Sequence, residues 1–265
     1  MKICMAGACG RMGRRILDIA AATDDVVPAG VFDLPQWAGT ELTVGAETGQ
    51  PRKLVVGVDR DAEVAKADVL IDFTHADAAL QNARAAAALA KPAVVGTTGL
   101  NNEQVAELRA LAKKIAIVYA PNMSVGVNLL FKLTGEVARV LGLDYNVEIV
   151  EIHHNQKKDS PSGTAKRLAE CAAEALGLDY DKETRHGRIG DVGKRPRSEI
   201  GLHAVRGGDV VGEHTVSFIG QGERIELTHK AHSRDNFARG ALLAARFALT
   251  AAPGLYDMQD VLGLR

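Results

Sequence analysis

The segment His153-His154-Asn155-Gln156-Lys157-Lys158-Asp159-Ser160-Pro161-Ser162-Gly163-Thr164 brings together groups that trade protons near neutral pH and groups that hold anions. Lys157 and Lys158 place positive charge just ahead of a helix start. There Ser160 or a neighbour can cap, and Pro161 suits the first turn. The amides of Ser162, Gly163 and Thr164 then favour a carboxylate or phosphate. Proton transfer to a bound anion is the chemistry this set can perform. Surface histidines and a solvated lysine pair are the plainer reading, and they account for Lys158 better than for Lys157. A zinc site fits poorly. Consecutive histidines on a strand point to opposite faces, and no cysteine or nearby third histidine completes a ligand set.

A second constellation lies at the N-terminus. Gly7-Ala8-Cys9-Gly10-Arg11-Met12-Gly13 follows an apolar run and opens a helical one. Its spacing is G-x-x-G-x-x-G, where G-x-G-x-x-G is commoner. Glycines allow the tight turn and close backbone approach, and the helix N-terminus presents N–H groups to a pyrophosphate. Asp33 ends the next strand about twenty residues after Gly13, where a carboxylate can accept the hydroxyls of an adenosine ribose. Leu34 follows it, with no adjacent arginine for a 2′-phosphate, which leans toward NADH, although Arg11 or Arg14 can reach such a phosphate. Gly96-Thr97-Thr98-Gly99 and Asp72-Phe73-Thr74 end two further apolar runs, where parallel sheets bind ligands. Plain turns are the alternative for both.

Two styles of patterning must position these groups. Up to about residue 122, candidate strands at Lys2–Ala6, Val27–Phe32, Leu54–Val58, Val69–Phe73, Ala93–Gly96 and Ile115–Tyr119 alternate with helices at Met12–Ala22, Ala76–Ala90 and Asn101–Lys113. Near-continuous apolar strands between helices predict a parallel, doubly covered, Rossmann-type sheet. After about residue 125 the pattern changes. A strand over Tyr145–His153 and a helix over Pro161–Leu176 precede a polar loop over 179–198. Strands then follow at Ile200–Val205, His214–Ile219 and Arg224–His229, the last two with a period of two. A helix over Asp235–Thr250 returns to the first domain. The expected architecture is α/β: a nucleotide domain of residues 1–124 and 233–265, with an inserted α+β domain of residues 125–232 built on a mixed or antiparallel sheet.

The 265 residues predict one to two domains. A net charge of -1 argues against a sequence-independent nucleic-acid surface. Six Phe, four Tyr and one Trp are too few for a base-stacking platform. Three scattered cysteines suit a reducing cytoplasm. Neither a signal peptide nor a membrane span is expected.

With these residues in view, the chain resembles the 4-hydroxy-tetrahydrodipicolinate (dihydrodipicolinate) reductases of bacterial lysine biosynthesis. The resemblance rests on Gly7–Gly13 with Arg14, Asp72-Phe73-Thr74, Gly96–Gly99, Asn122–Asn128, the His153–Thr164 segment, Arg206–Thr215 and His229–Arg234, in order along nearly the whole chain. The histidine-lysine-Pro-Ser-Gly-Thr segment is its specific part. The resemblance implies a cytoplasmic homotetramer whose two domains close on each other, residues 125–232 forming the substrate and oligomerisation domain, with NADH or NADPH as cofactor and a small cyclic dicarboxylate imine as substrate. It implies His153 as proton donor and Lys157 as a cationic stabiliser. His154, Ser162, Gly163, Thr164 and Thr98 would contact the substrate carboxylates. Gly7, Ala8, Gly10, Arg11, Met12, Gly13, Asp33, Phe73, Thr74, Gly96, Thr97, Thr98, Ala120, Asn122 and Met123 would line the cofactor. No metal, nucleic acid or membrane is implied. Leu34, Asn155-Gln156, Met123 and Asp33 stand where members often carry Arg, Arg-His, an aromatic and Glu. A different imino-acid dehydrogenase and a nucleotide-sensing module without catalysis are the competing readings.

Overall fold

The computed structural model describes residues 1–48 and 51–265. The chain runs β1 (Lys2–Ala6), α1 (Arg11–Ala21), β2 (Val27–Phe32), β3 (Glu41–Val44), β4 (Arg52–Val55), α2 (Arg60–Ala65), β5 (Val69–Asp72), α3 (Ala76–Ala88), β6 (Ala93–Val95), α4 (Asn102–Leu111) and β7 (Ala116–Tyr119). It continues with α5 (Val125–Leu141), β8 (Asn146–His153), α6 (Gly163–Leu176), α7 (Tyr180–Glu183), β9 (Thr184–His186), β10 (Ile200–Arg206), β11 (Gly212–Ile219), β12 (Arg224–Ala231), α8 (Asp235–Thr250), β13 (Gly254–Tyr256) and α9 (Met258–Val261). Two compact units result, Met1–Val125 with Arg234–Arg265, and Gly126–Ser233.

The first unit is a six-stranded parallel sheet in the order β13-β7-β6-β5-β1-β2. Its strands are buried on both faces, which is why they read as unbroken apolar runs. Ile3, Met5 and Ile71 point to the side covered by α1 and α8. Cys4, Ala6 and Leu70 point to the side covered by α3 and α4. Small residues let the layers approach. A Cβ on Gly240 of α8 would collide with the Met123 carbonyl oxygen, so the helix can lie there only as glycine. The strand order reverses between β1 and β5, and the loops after these two strands flank the crevice at which such sheets take ligands.

Several elements differ from expectation. The run Leu54–Val58 is split, and it touches the parallel sheet only where Gly57 bridges Phe32 of β2. Residues 52–55 pair antiparallel with 41–44 in a separate hairpin, and Val55 and Val58 are exposed. A valine-rich run reports β propensity but not which sheet it joins. The short α2 and β13 and the long α5 had no counterpart in the expected elements.

The second unit is a five-stranded mixed sheet ordered β12-β11-β8-β10-β9. β10 runs parallel to β8 and β9, while β11 runs antiparallel to β8 and β12. The segment 179–198, expected as loop, contributes the short α7 and the edge strand β9. Along β8, Val147, Ile149, Glu151 and His153 are buried on the face that meets α6. Two residues later than expected, α6 starts at Gly163. Ser162, not Ser160, is its cap and accepts the Ala165 amide at 3.1 Å, so Pro161 lies ahead of the cap. Val150, Val205 and Ile219 are exposed on the opposite face, Val205 level with Ile152 and Ile219 level with Asn146 of β8.

Candidate active site

In the first unit, the loop after β1 is shaped by its glycines. Gly7 has φ +78°, and a Cβ there would stand 2.9 Å from the Phe73 carbonyl oxygen. A Cβ on Gly10 would approach the Gly7 carbonyl to 3.2 Å, and one on Gly13 would collide with that same oxygen. The loop is pinned to β2, since Gly7 N and Ala8 N donate to the Phe32 carbonyl at 3.0 and 3.3 Å. Gly10 caps α1 with extended backbone and offers no side-chain acceptor to the first-turn amides. An uncapped, positively polarised helix start over a glycine cradle fits a pyrophosphate. Both oxygens of Asp33 accept backbone amides, from Cys9 at 2.7 Å and Leu34 at 2.8 Å. That fixes the carboxylate's orientation, and each oxygen keeps a lone pair for a ribose hydroxyl. Arg11 and Arg14 are exposed on α1, Arg14 Nε donating to the Cys9 carbonyl at 3.3 Å. Met12 is half-buried against the core.

The other expected cofactor residues separate into two groups. Thr98 is exposed and Phe73 partly so, its ring filling the space that Gly96 leaves by lacking a Cβ. Thr97 faces inward. Its hydroxyl donates to buried Asp72 at 2.6 Å and accepts the Thr74 amide at 2.9 Å. The Thr74 hydroxyl, at 2.9 Å, and Asn82, at 2.6 Å, complete the shell of Asp72. Thr97 and Thr74 therefore tie two loops together through a carboxylate that was not among the expected site residues. Asn122 accepts the Ser124 amide at 2.9 Å. Ala8, Ala120 and Met123 are 0%, 4% and 1% exposed, so their side chains belong to the core and only their backbone can line a ligand.

In the second unit, the mixed sheet delivers His153 to the end of β8, where it is 8% exposed. Its Nδ1 lies 2.6 Å from Glu151 Oε2. Arg206 of β10 grips both Glu151 oxygens at 2.8 and 2.9 Å, and the Ser162 amide donates to Oε1 at 3.0 Å. Burial alone would raise the Glu151 carboxyl. The hydrogen bonds from Arg206, His153 and the Ser162 amide bring it below the usual range. Burial draws His153 below the imidazole range; Glu151 opposes this, and the Lys157 and Arg206 charges add to it. His214 of β11 meets His153 edge-on at 5.1 Å between ring centres. Burial first, then the His153 charge, holds it at about 3, so it is neutral. Its Nε2 lies 3.0 Å from Ser162 Oγ.

Ser162 therefore differs from expectation. Its amide is committed to Glu151 and its hydroxyl to Ala165 and His214, which leaves Gly163 and Thr164 as the outward members of that helix start. Lys157 pairs with Asp159 at 3.0 Å and is partly exposed; His154 is half-buried, its amide tied to the Val210 carbonyl at 2.8 Å. Glu151, Arg206 and His214 were not recognised as site residues. Glu151 had a signal, since a carboxylate two residues before a histidine on a strand shares its face.

Fold and loop place the chain in the class of nucleotide-dependent oxidoreductases. Its residues 1–123 match the model of the dihydrodipicolinate reductase N-terminus, and residues 126–262 that of the C-terminus. It is 50% identical over 270 residues to the 4-hydroxy-tetrahydrodipicolinate reductase of Citrifermentans bemidjiense, covering 100% of both chains. With that of Geobacter sulfurreducens it shares 49% over 273 residues, covering 100% of this chain and 99% of the relative. A dipicolinate-bound dihydrodipicolinate reductase from Paenisporosarcina sp. TG-14 has the same fold, with a TM-score of 0.77 at 22% identity and 98% coverage of each chain. The chain belongs to the dihydrodipicolinate reductase family, which uses NADH or NADPH on a cyclic dicarboxylate imine in the diaminopimelate route to lysine. Among the described residues no helix is long and apolar enough to cross a membrane.

Proposed function

We propose that His153 and Lys157 carry the family's reaction in this chain, the reduction of 4-hydroxy-tetrahydrodipicolinate to tetrahydrodipicolinate with loss of water. The observation that supports this most is the buried His153 at the end of β8, backed by Glu151 at 2.6 Å and followed by Lys157 in the next loop. A bound nicotinamide supplies the hydride. Asp33 takes the ribose hydroxyls and the amides at the start of α1 take the pyrophosphate. Lys157 and the outward amides at the start of α6 hold the substrate's carboxylates, with His154 and Thr98 as further contacts. His153 gives the proton.

The protein works in the cytoplasm as a homotetramer. The exposed apolar Val150, Val205 and Ile219 on the face of the mixed sheet away from α6 support copy-to-copy contact there. Light scattering should return four chains' mass, and a monomer in dilute solution would refute it. The functional test is oxidation of NADH and NADPH with the product of dihydrodipicolinate synthase, on wild type and Asp33→Ala. Turnover is expected, with Asp33→Ala weakening NADH more than NADPH. Turnover of another imine alone would refute the substrate, and an equal effect on both cofactors would remove Asp33 from the ribose.

A further inference from the structure

Glu151 leaves β8 on the same face as His153 and is completely buried. Its oxygens accept from Arg206 Nη1 and Nη2 and from the Ser162 amide, all donors that cannot accept in return. A carboxylate so surrounded is ionised and acceptor-only, so the hydrogen in its 2.6 Å contact with His153 belongs to Nδ1. Neutral His153 therefore carries its proton on Nδ1, and the proton that comes and goes sits on Nε2. That nitrogen faces Gly212 of β11, where a Cβ would stand 3.0 Å from Nε2 and 3.3 Å from Cδ2. Arg206 also donates to the Asp159 carbonyl at 2.7 Å, which anchors the loop whose Asp159 carboxylate holds Lys157.

Packing alone does not call for this arrangement. One register step earlier on the same face, Ile149 of β8 stands directly opposite Leu202 of β10, both buried in the unit's core, whereas the residue opposite Glu151 is Ala204 and Arg206 reaches across from the next step. A buried ion pair adds little net stability over such an apolar pair. We infer that Glu151, clamped by Arg206, is the positioning residue that dedicates Nε2 of His153 to proton delivery, and that Gly212 keeps the approach to that nitrogen clear. The inference rests on His153 being the proton donor.

The groups facing His153 are Glu151 on its own strand, Arg206 on β10, His214 on β11 and Lys157 in the following loop, with His229 on β12 beyond His214. Among these only Glu151 favours the imidazolium. Removing its charge moves the loss of activity with rising pH to lower pH.

Three measurements test the inference. In wild type, ¹⁵N spectra of labelled histidine should show neutral His153 protonated at Nδ1; protonation at Nε2 would overturn it. Glu151→Gln keeps the shape but can donate to His153, so kcat should fall about tenfold or more, as when a buried carboxylate behind a catalytic histidine becomes an amide. Its pH profile should shift downward and its NADH affinity should stay unchanged. Gly212→Ala should melt as wild type and keep the Nδ1 tautomer yet lose turnover, and full activity in it would refute the clear approach. If Glu151→Gln does not fold, the wild-type tautomer and Gly212→Ala decide. An inactive His153→Ala beside a Glu151→Gln with unchanged kcat and pH profile sinks the positioning role and leaves the donor intact. An active His153→Ala sinks the donor assignment itself.

Discussion

Replacing His153 and Lys157 together by alanine abolishes turnover and leaves NADH binding near wild type. Loss of a general acid alone lowers rates by about 10²–10⁴, and in the proposed mechanism Lys157 adds the cation that offsets substrate charge. The cofactor side is untouched because both residues lie in Gly126–Ser233, whereas the glycine cradle and Asp33 lie in Met1–Val125. Stability changes are separable. Lys157 loses only an exposed pair with Asp159, worth about 0–1 kcal/mol. His153→Ala empties a buried position and unpairs one contact of Glu151, so a thermal melt accompanies the assay. Trp37, the single tryptophan, stands four residues past Asp33, and energy transfer from it to bound NADH reads the cofactor directly. Loss of that signal in the double variant would mean that the two sites are wrongly partitioned. Retained turnover would remove both residues from the chemistry.

Gly13→Ala is expected to give the converse result. The added methyl meets the backbone oxygen of Gly7, which cannot swing aside. Gly7 and Ala8 are bonded to the Phe32 carbonyl, and Gly10 N donates to the Gly7 carbonyl at 3.1 Å. Either α1 or the loop must move, and the amides aimed at the pyrophosphate move with it. Two hydrogen bonds to a charged group at about 1.5–3 kcal/mol each correspond to NADH affinity weaker by about 10²-fold or more. Overpacking costs about 1–3 kcal/mol of stability in addition. Titration of NADH by Trp37 quenching checks the first figure and urea unfolding the second. An affinity within threefold of wild type would show that the cradle does not set the phosphate position.

The nucleotide unit was legible because its information is local. Lys2–Ala6, the three glycines and the acid at Asp33 follow one another in the order in which they are used, and strands buried on both faces announce themselves as apolar runs. Where the reading failed, the deciding partner lay far along the chain. Val55 and Val58 read as a buried strand, but Val55 pairs with Glu41 in a hairpin and Val58 lies beyond that pairing, exposed. Thr97 read as a cofactor contact because nothing nearby in sequence shows that Asp72, 25 residues away, takes its hydroxyl. Ser162 was assigned its amide as an anion donor, yet Glu151 was already there to take it. Arg206 lies 55 residues from the carboxylate it grips, a distance over which no periodicity reaches. Thr97 and Ser162 are legible as residues but not by their partners, whereas Arg206 and Glu151 are recognised as neither.

The interruption of the first unit also has a consequence for synthesis on the ribosome. Ala238, Ala241, Leu242, Ala244 and Ala245 of α8 cover one face of the parallel sheet, and β13 adds its last strand beside β7. Both are made only after Ser233. When the whole inserted unit has been translated, the nucleotide unit still lacks a cover for Ile71 and Val94. Domains that emerge complete fold as units, so here the second in sequence closes before the first. The nascent chain is expected to carry an apolar sheet face through that interval, until α8 emerges.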